Sequence, residues 1–195
     1  MISLHKVDRS RQDSIWVGGI EYKIHTPFPY WIAFSKKIEG LQLTGKKTIN
    51  LYELDYLYKP EYIKRPNRSK KQPRGNKPFI PEDRKSGYKE LCKFFLNEQP
   101  LPRPAGKKDN VIGLDWLIDS EYIYAAFLQQ YRIDLIKTDL HWHDFLALFY
   151  GLTGAKINEI ITARYSKDTK GSMCEMRKMY EIRKKRAKLP EPEME

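Results

Sequence analysis

The chain has 195 residues, 41% of them hydrophobic, 13% aromatic and 31% charged, with a formal net charge of +11. That length and apolar content suit one domain, or one domain with a small appendage, and exclude both a disordered polar chain and a scaffold that needs disulfide or metal staples. The basic balance favours anionic partners such as nucleic acid, acidic proteins or lipid head groups.

At the N-terminus, MISLHKVDRSRQDS has no apolar core of signal-peptide length. The longest strongly apolar stretch, around 122–128, is roughly a third of a membrane span. Cys92 and Cys174 stand alone without a CxxC partner, which fits a reducing compartment. The expectation is a soluble cytosolic protein with no membrane partner.

Over 14–25, SIWVGGIEYKIH alternates apolar and polar residues around Gly18-Gly19. This pattern predicts a short β-hairpin whose glycines supply the positive φ of a tight turn. Thr26-Pro27 then reads as a helix start, with Thr26 as N-cap and Pro27 at the first helical position. The helix carries Phe28, Trp31, Ile32 and Ile38 on one side and is expected to end at Gly40. The segment 41–58 is ambiguous between helix and strand. Gly40 to Lys47 nearly matches a phosphate-binding loop, but Lys47 stands where Ser or Thr should hold magnesium, and a helix rather than a strand precedes it.

The stretch 61–85 is dense in Lys, Arg and Pro and predicts an exposed, flexible basic loop. Its cations Lys64, Arg65, Arg68, Lys70, Lys71 and Arg74 are candidates for anion binding, together with Arg183, Lys184, Lys185 and Arg186 near the C-terminus. The first cluster has few aromatics for base stacking, so nucleic-acid binding there would be non-specific and salt-sensitive.

A helix is predicted over 86–99, with Tyr88, Leu91, Phe94 and Phe95 at helical spacing and Cys92 as a small core residue. The segment 111–165 predicts three amphipathic helices with short connections. Ile123, Tyr124, Phe127, Leu128 and Tyr131 share one face; Trp142, Phe145, Leu146, Phe149 and Leu152 share the next, with Asp139 as N-cap; Ile157, Ile160 and Ile161 mark the third. Asp115, Asp119, Glu121 and Asp144 read as helix-start and surface residues. Ser172-x-x-Glu175 reads as a capping box opening a last helix that ends before Pro190. The resulting fold class is mainly α, a compact helical bundle with a short N-terminal β-hairpin and a basic flexible loop. It divides into 1–60 (hairpin and helix), 61–86 (basic linker or loop), 87–189 (helical core) and 190–195 (acidic tail).

Catalytic signatures are missing: the chain has no HExxH, GxSxG or strand-borne GxGxxG. His141-x-His143 points its imidazoles to different helix faces and has no third ligand at a recognisable spacing. The expectation is a protein without catalytic residues, cofactor or metal. Tyr124, Phe127, Leu128, Tyr131, Trp142, Phe145 and Phe149 are first of all core, and only a surplus left uncovered could meet a partner.

The runs EYIYAAFLQQYRIDL and DLHWHDFLALFYGL, within 119–164, resemble the bacteriophage "gene product fifteen" family of tailed phages and prophages of Gram-positive bacteria. The N-terminal VGGIEYKIHTPFPYWIAF is similar to that family's hairpin-then-helix opening. The resemblance implies genes beside the tail-tube genes and just before the tape-measure gene. It implies a non-enzymatic tail-assembly chaperone that binds tape-measure or tail-tube proteins in the host cytoplasm and is absent from the mature virion. A basic nucleic-acid-binding accessory protein is the alternative. This chain departs from the family in three places: Arg132 stands where glycine is expected after Gln-Gln-Tyr, His143 replaces a common second aromatic, and the basic stretch is longer.

Overall fold

A computed structural model describes residues 12–44, 49–63, 72–96 and 113–186. The chain divides into two compact units, Met1–Arg103 and Pro104–Glu195. It is mainly helical, with an N-terminal antiparallel hairpin.

In the first unit, β1 (Ser14–Val17) pairs with β2 (Ile20–Lys23) in the register Ile15↔Tyr22 and Val17↔Ile20. The two-residue connection places Gly18 at φ 58° and Gly19 at φ 80°. Both central residues of a type I′ turn need positive φ, which glycine adopts without steric cost. Alternation buries Ile15, Val17, Tyr22 and Ile24 and leaves Trp16 exposed.

Helix α1 (Phe28–Thr44) begins one residue later than expected and runs through Gly40 rather than ending there. A glycine within a helix costs about 1 kcal/mol against alanine, which is too little to end a helix whose other residues favour it. Helix α1 also occupies the residues before Gly40, where a phosphate-binding loop requires a strand; residues 45–48 of that near-match lie outside the described residues. A 3₁₀ helix, Leu51–Leu57, resolves the ambiguous segment. The Asn50 side chain caps it by accepting from Tyr52 N, and Leu54 and Leu57 are buried.

The expected basic loop is in part a β-ladder. Strand β3 (Pro60–Ile63) pairs antiparallel with β4 (Gln72–Pro78), with a register shift between Pro60 and Tyr62. Ladder hydrogen bonds join backbone groups, so basic side chains do not forbid them. Apolar residues anchor the base of the ladder: Phe79 stacks on Tyr22 at 4.8 Å, and Ile24 bridges to Tyr58.

Helix α2 (Arg84–Leu96) buries Leu91, Phe94 and Phe95 as its spacing predicts. Trp31 packs against Phe94 at 4.5 Å and donates from Nε1 to His25 O at 2.8 Å. Phe34 meets Phe95 at 5.2 Å. Arg84 holds both carboxylate oxygens of Asp55, tying α2 to the 3₁₀ helix. This packing places α2 in the first unit, whereas the sequence reading groups most of it with the later helices.

The second unit contains α3 (Ser120–Tyr131), α4 (Trp142–Tyr150), α5 (Lys156–Tyr165) and α6 (Ser172–Arg186). Phe127, Trp142 and Phe145 are fully buried, and Phe127 stacks on Phe145 at 5.2 Å. Trp116 packs against Trp142, Phe145 and Phe149 at 5.4–6.2 Å. Burying each of these rings stabilises the unit by about 2 kcal/mol.

Helix α4 is capped by His141, whose side chain accepts from His143 N at 3.2 Å, and not by Asp139. A cap must sit next to the first helical residue, and Asp139 is two positions too early. Likewise α6 already includes Ser172, and Glu175 N donates to Gly171 O, so Ser172 is not the cap of a capping box. No helix of the described residues is long and apolar enough to cross a membrane.

Candidate functional site

The site is built on a short turn ahead of α3. Asp115 Oδ1 accepts from Leu117 N at 3.1 Å and from Ile118 N at 3.2 Å, closing an Asx turn that precedes the helix. Asp119, one residue before α3, accepts from Asp115 N at 2.8 Å. From α5, Arg164 reaches back to it. Its Nη1 and Nη2 each donate to the Asp119 carboxylate at 2.6 Å, and Nη1 also donates to Gly113 O at 2.9 Å.

The pair is buried, with side-chain exposures of 3% for Arg164 and 1% for Asp119. Among the described residues, Arg164 Nε is buried without a hydrogen-bond partner. Tyr180, from α6, lays its ring 3.8 Å from the guanidinium carbon and donates from its hydroxyl toward Asp115 Oδ2 at 3.4 Å. Burial, reinforced by Asp115, pushes the Tyr180 hydroxyl up to about 12, so it is a neutral donor at physiological pH. A Cβ at Gly113 would lie 2.1 Å from the Tyr165 hydroxyl, so a larger residue there would displace the Tyr165 ring.

This junction of α3, α5 and α6 forms the floor of a groove of ≈ 330 Å³. Ile118, Tyr122, Ile160, Met176 and Met179 supply apolar walls, and Lys156, Glu175 and Arg183 supply charge at the rim. Arg183 lies 4.8 Å over the Tyr122 ring and 3.7 Å from the Glu121 carboxylate. Methionine has an unbranched, polarisable side chain that adapts to irregular apolar partners. The arrangement can therefore hold an amphipathic segment.

The aromatic residues singled out by spacing lie elsewhere. Phe127, Trp142 and Phe145 form the core between α3 and α4. Tyr131 is half-buried, with its hydroxyl donating to Leu148 O at 2.9 Å, and Tyr124 and Phe149 are also half-buried. Leu128 is exposed.

Of the basic candidates, Arg183 sits at the groove rim. Lys184, Lys185 and Arg186 continue the α6 backbone and Arg74 lies in β4; their side chains are outside the described residues, as are Lys64, Arg65, Arg68, Lys70 and Lys71 altogether. His141 and His143 flank the buried Trp142, with rings 5.0 Å apart. Among the described residues no group of three or more His, Cys, Asp or Glu side chains could hold a metal ion. Cys92 is half-buried in α2, and burial pushes its thiol pKa up, which disfavours the reactive thiolate.

Asp119 corrects the sequence reading, which placed it on the surface. A carboxylate next to a helix start looks solvated in isolation, and only Arg164 makes its burial tolerable. The available signal was Arg164 itself, seven residues after Ile157 on the otherwise apolar face of α5.

The family described as Bacteriophage Gp15 protein matches residues 12–189 of this chain. No curated protein and no solved structure matches it.

Proposed function

Because this chain belongs to the bacteriophage Gp15 protein family, we propose that it serves as a non-enzymatic tail-assembly chaperone, binding tape-measure or tail-tube proteins before they are built into the tail. The observation that carries this reading is the groove between α3, α5 and α6, with apolar walls including Met176 and Met179 and charged residues at its edge. An amphipathic helix laid into such a groove anchors through residues at i, i+3, i+4 and i+7. Long tape-measure helices carry such faces and would aggregate if left uncovered. The buried Asp119–Arg164 pair joins α3 to α5 and so holds two walls of the groove at a set separation.

The protein then acts in the host cytoplasm and is left behind when the virion is complete. Co-expression with the tape-measure protein of the same genome tests this. The expected result is improved tape-measure solubility and a co-purifying complex; unchanged solubility with no complex refutes it.

A second reading, a basic nucleic-acid-binding accessory protein, is favoured by the charge of +11. Salt-dependent binding of duplex and single-stranded DNA tests it.

A further inference from the structure

The α6 segment from Glu175 to Arg183 reads Glu-Met-Arg-Lys-Met-Tyr-Glu-Ile-Arg. Turned end for end about Met179, it sets Glu175 against Arg183 and Met176 against Ile182. At 3.6 residues per turn, Glu175, Met176, Met179, Ile182 and Arg183 fall within about a third of the helix circumference. That face is uncovered where it matters: Met179 is 53% exposed and Ile182 43%. Glu175, Met176, Met179 and Arg183 of that face also line the groove together with Ile118 and Tyr122, while Ile182 lies at the outer edge of the face beside Lys178 and Glu181.

From this pattern we infer that the chain self-associates through α6, two copies crossing antiparallel on a twofold axis at Met179. The two Met179 side chains meet on the axis at the mouths of the two grooves, each Met176 packs on Ile182 of the other copy, and two Glu175–Arg183 pairs close the ends. An isologous contact needs a patch complementary to itself, and opposite charges placed symmetrically about an apolar centre meet that need. A parallel pairing in the same register would set Glu175 on Glu175 and Arg183 on Arg183. Within its own chain Arg183 meets Glu121 only at 3.7 Å, and Glu121 is 82% exposed. Its guanidinium thus retains donors for a second carboxylate.

This inference does not rest on the chaperone reading. It adds that a second copy and a client helix compete for one groove, so the unloaded protein covers its own apolar surface.

Sedimentation of the purified full chain, without any client, across a dilution series tests it. The expected result is a dimer at high concentration that dissociates on dilution. Arg183→Glu and Glu175→Arg should each weaken the dimer by about tenfold, because each places like charges together twice. The double variant Glu175→Arg/Arg183→Glu should recover wild-type association. Should a charge variant fail to fold, as judged by circular dichroism, Met179→Cys in a Cys92→Ala/Cys174→Ala background keeps the question open to decision. A residue on the twofold axis meets its own copy, so mild oxidation should give a disulfide-linked dimer. A wild-type chain that is monomeric throughout, single charge variants that associate as wild type does, or an absence of cross-linking at position 179 would each overturn the inference.

Discussion

Arg164 donates two hydrogen bonds of 2.6 Å to the carboxylate of Asp119, a residue 45 positions earlier in the chain, and both side chains are almost wholly removed from solvent. A buried, bidentate pair of this kind contributes modestly while both partners are present. Removing one leaves an uncompensated charge in the interior. Arg164→Leu should therefore destabilise the second unit by about 3–5 kcal/mol, and Asp119→Leu/Arg164→Leu by less than the sum of the single changes. Urea denaturation of the two single variants and the double variant measures this; additive losses would show that the two side chains are not coupled.

Arg132 closes α3 in the left-handed region, at φ 58° and ψ 27°, with its N–H donating to Leu128 O at 3.2 Å. The left-handed cap thus forms with arginine rather than glycine at that position. A side chain in that region costs about 1 kcal/mol, which glycine does not incur. Arg132→Gly should raise the urea midpoint by an amount worth about 0.5–1 kcal/mol with no change in slope.

His25 stacks on Tyr30 with ring centroids 4.5 Å apart. Burial lowers its pKa from the ordinary 6.5, and the nearby Lys59 lowers it further. In the folded state His25 therefore binds fewer protons than in the unfolded state between the two pKa values. The stability it contributes is present above pH 6.5 and is lost as pH falls through the folded value. Denaturation of the first unit followed on the acid side of pH 6.5 should show this decline, and His25→Gln should reduce it. An NMR titration that places the His25 midpoint at or above 6.5 would contradict the prediction.

Phe145 and Met179 should separate folding from recognition. Phe145 is fully buried against Phe127, Trp142 and Trp116, so Phe145→Ala should cost about 3–5 kcal/mol and lower soluble yield. Met179 is 53% exposed at the groove, so Met179→Glu should keep the wild-type melting temperature within a few degrees while losing the tape-measure complex. Retention of the complex by Met179→Glu would move client binding away from the groove.

Fluorescence anisotropy with duplex and single-stranded DNA separates the chaperone from the nucleic-acid reading. The charge of +11 leads us to expect weak association at low salt that disappears near physiological ionic strength. Binding that persists there, and that charge-neutralising changes at Lys70, Lys71 and Arg74 abolish, would favour the nucleic-acid role instead.

The hairpin and most of the helices were legible because their signals are local. Two consecutive glycines between alternating apolar residues specify a tight turn whatever surrounds them. The spacing of Phe127, Trp142, Phe145 and Ile157 marks the buried faces of three helices, and all four side chains are buried. The β3–β4 ladder escaped notice because backbone pairing leaves little trace in a run of Lys, Arg and Pro, and the apolar anchor Phe79 sits at the far end of that run.

By itself the sequence determined where the hairpin and most of the helices form, much of the face each helix turns inward, and the family to which the chain belongs. Each of these rests on residues close together along the backbone. Only the tertiary structure decided that Asp119 is buried rather than solvated, that Tyr180 closes over Arg164, and that Met176 and Met179 face Ile118 and Tyr122 across a groove. Burial of a charge and the lining of a groove depend on which helices meet, and periodicity within one helix carries no record of its neighbours.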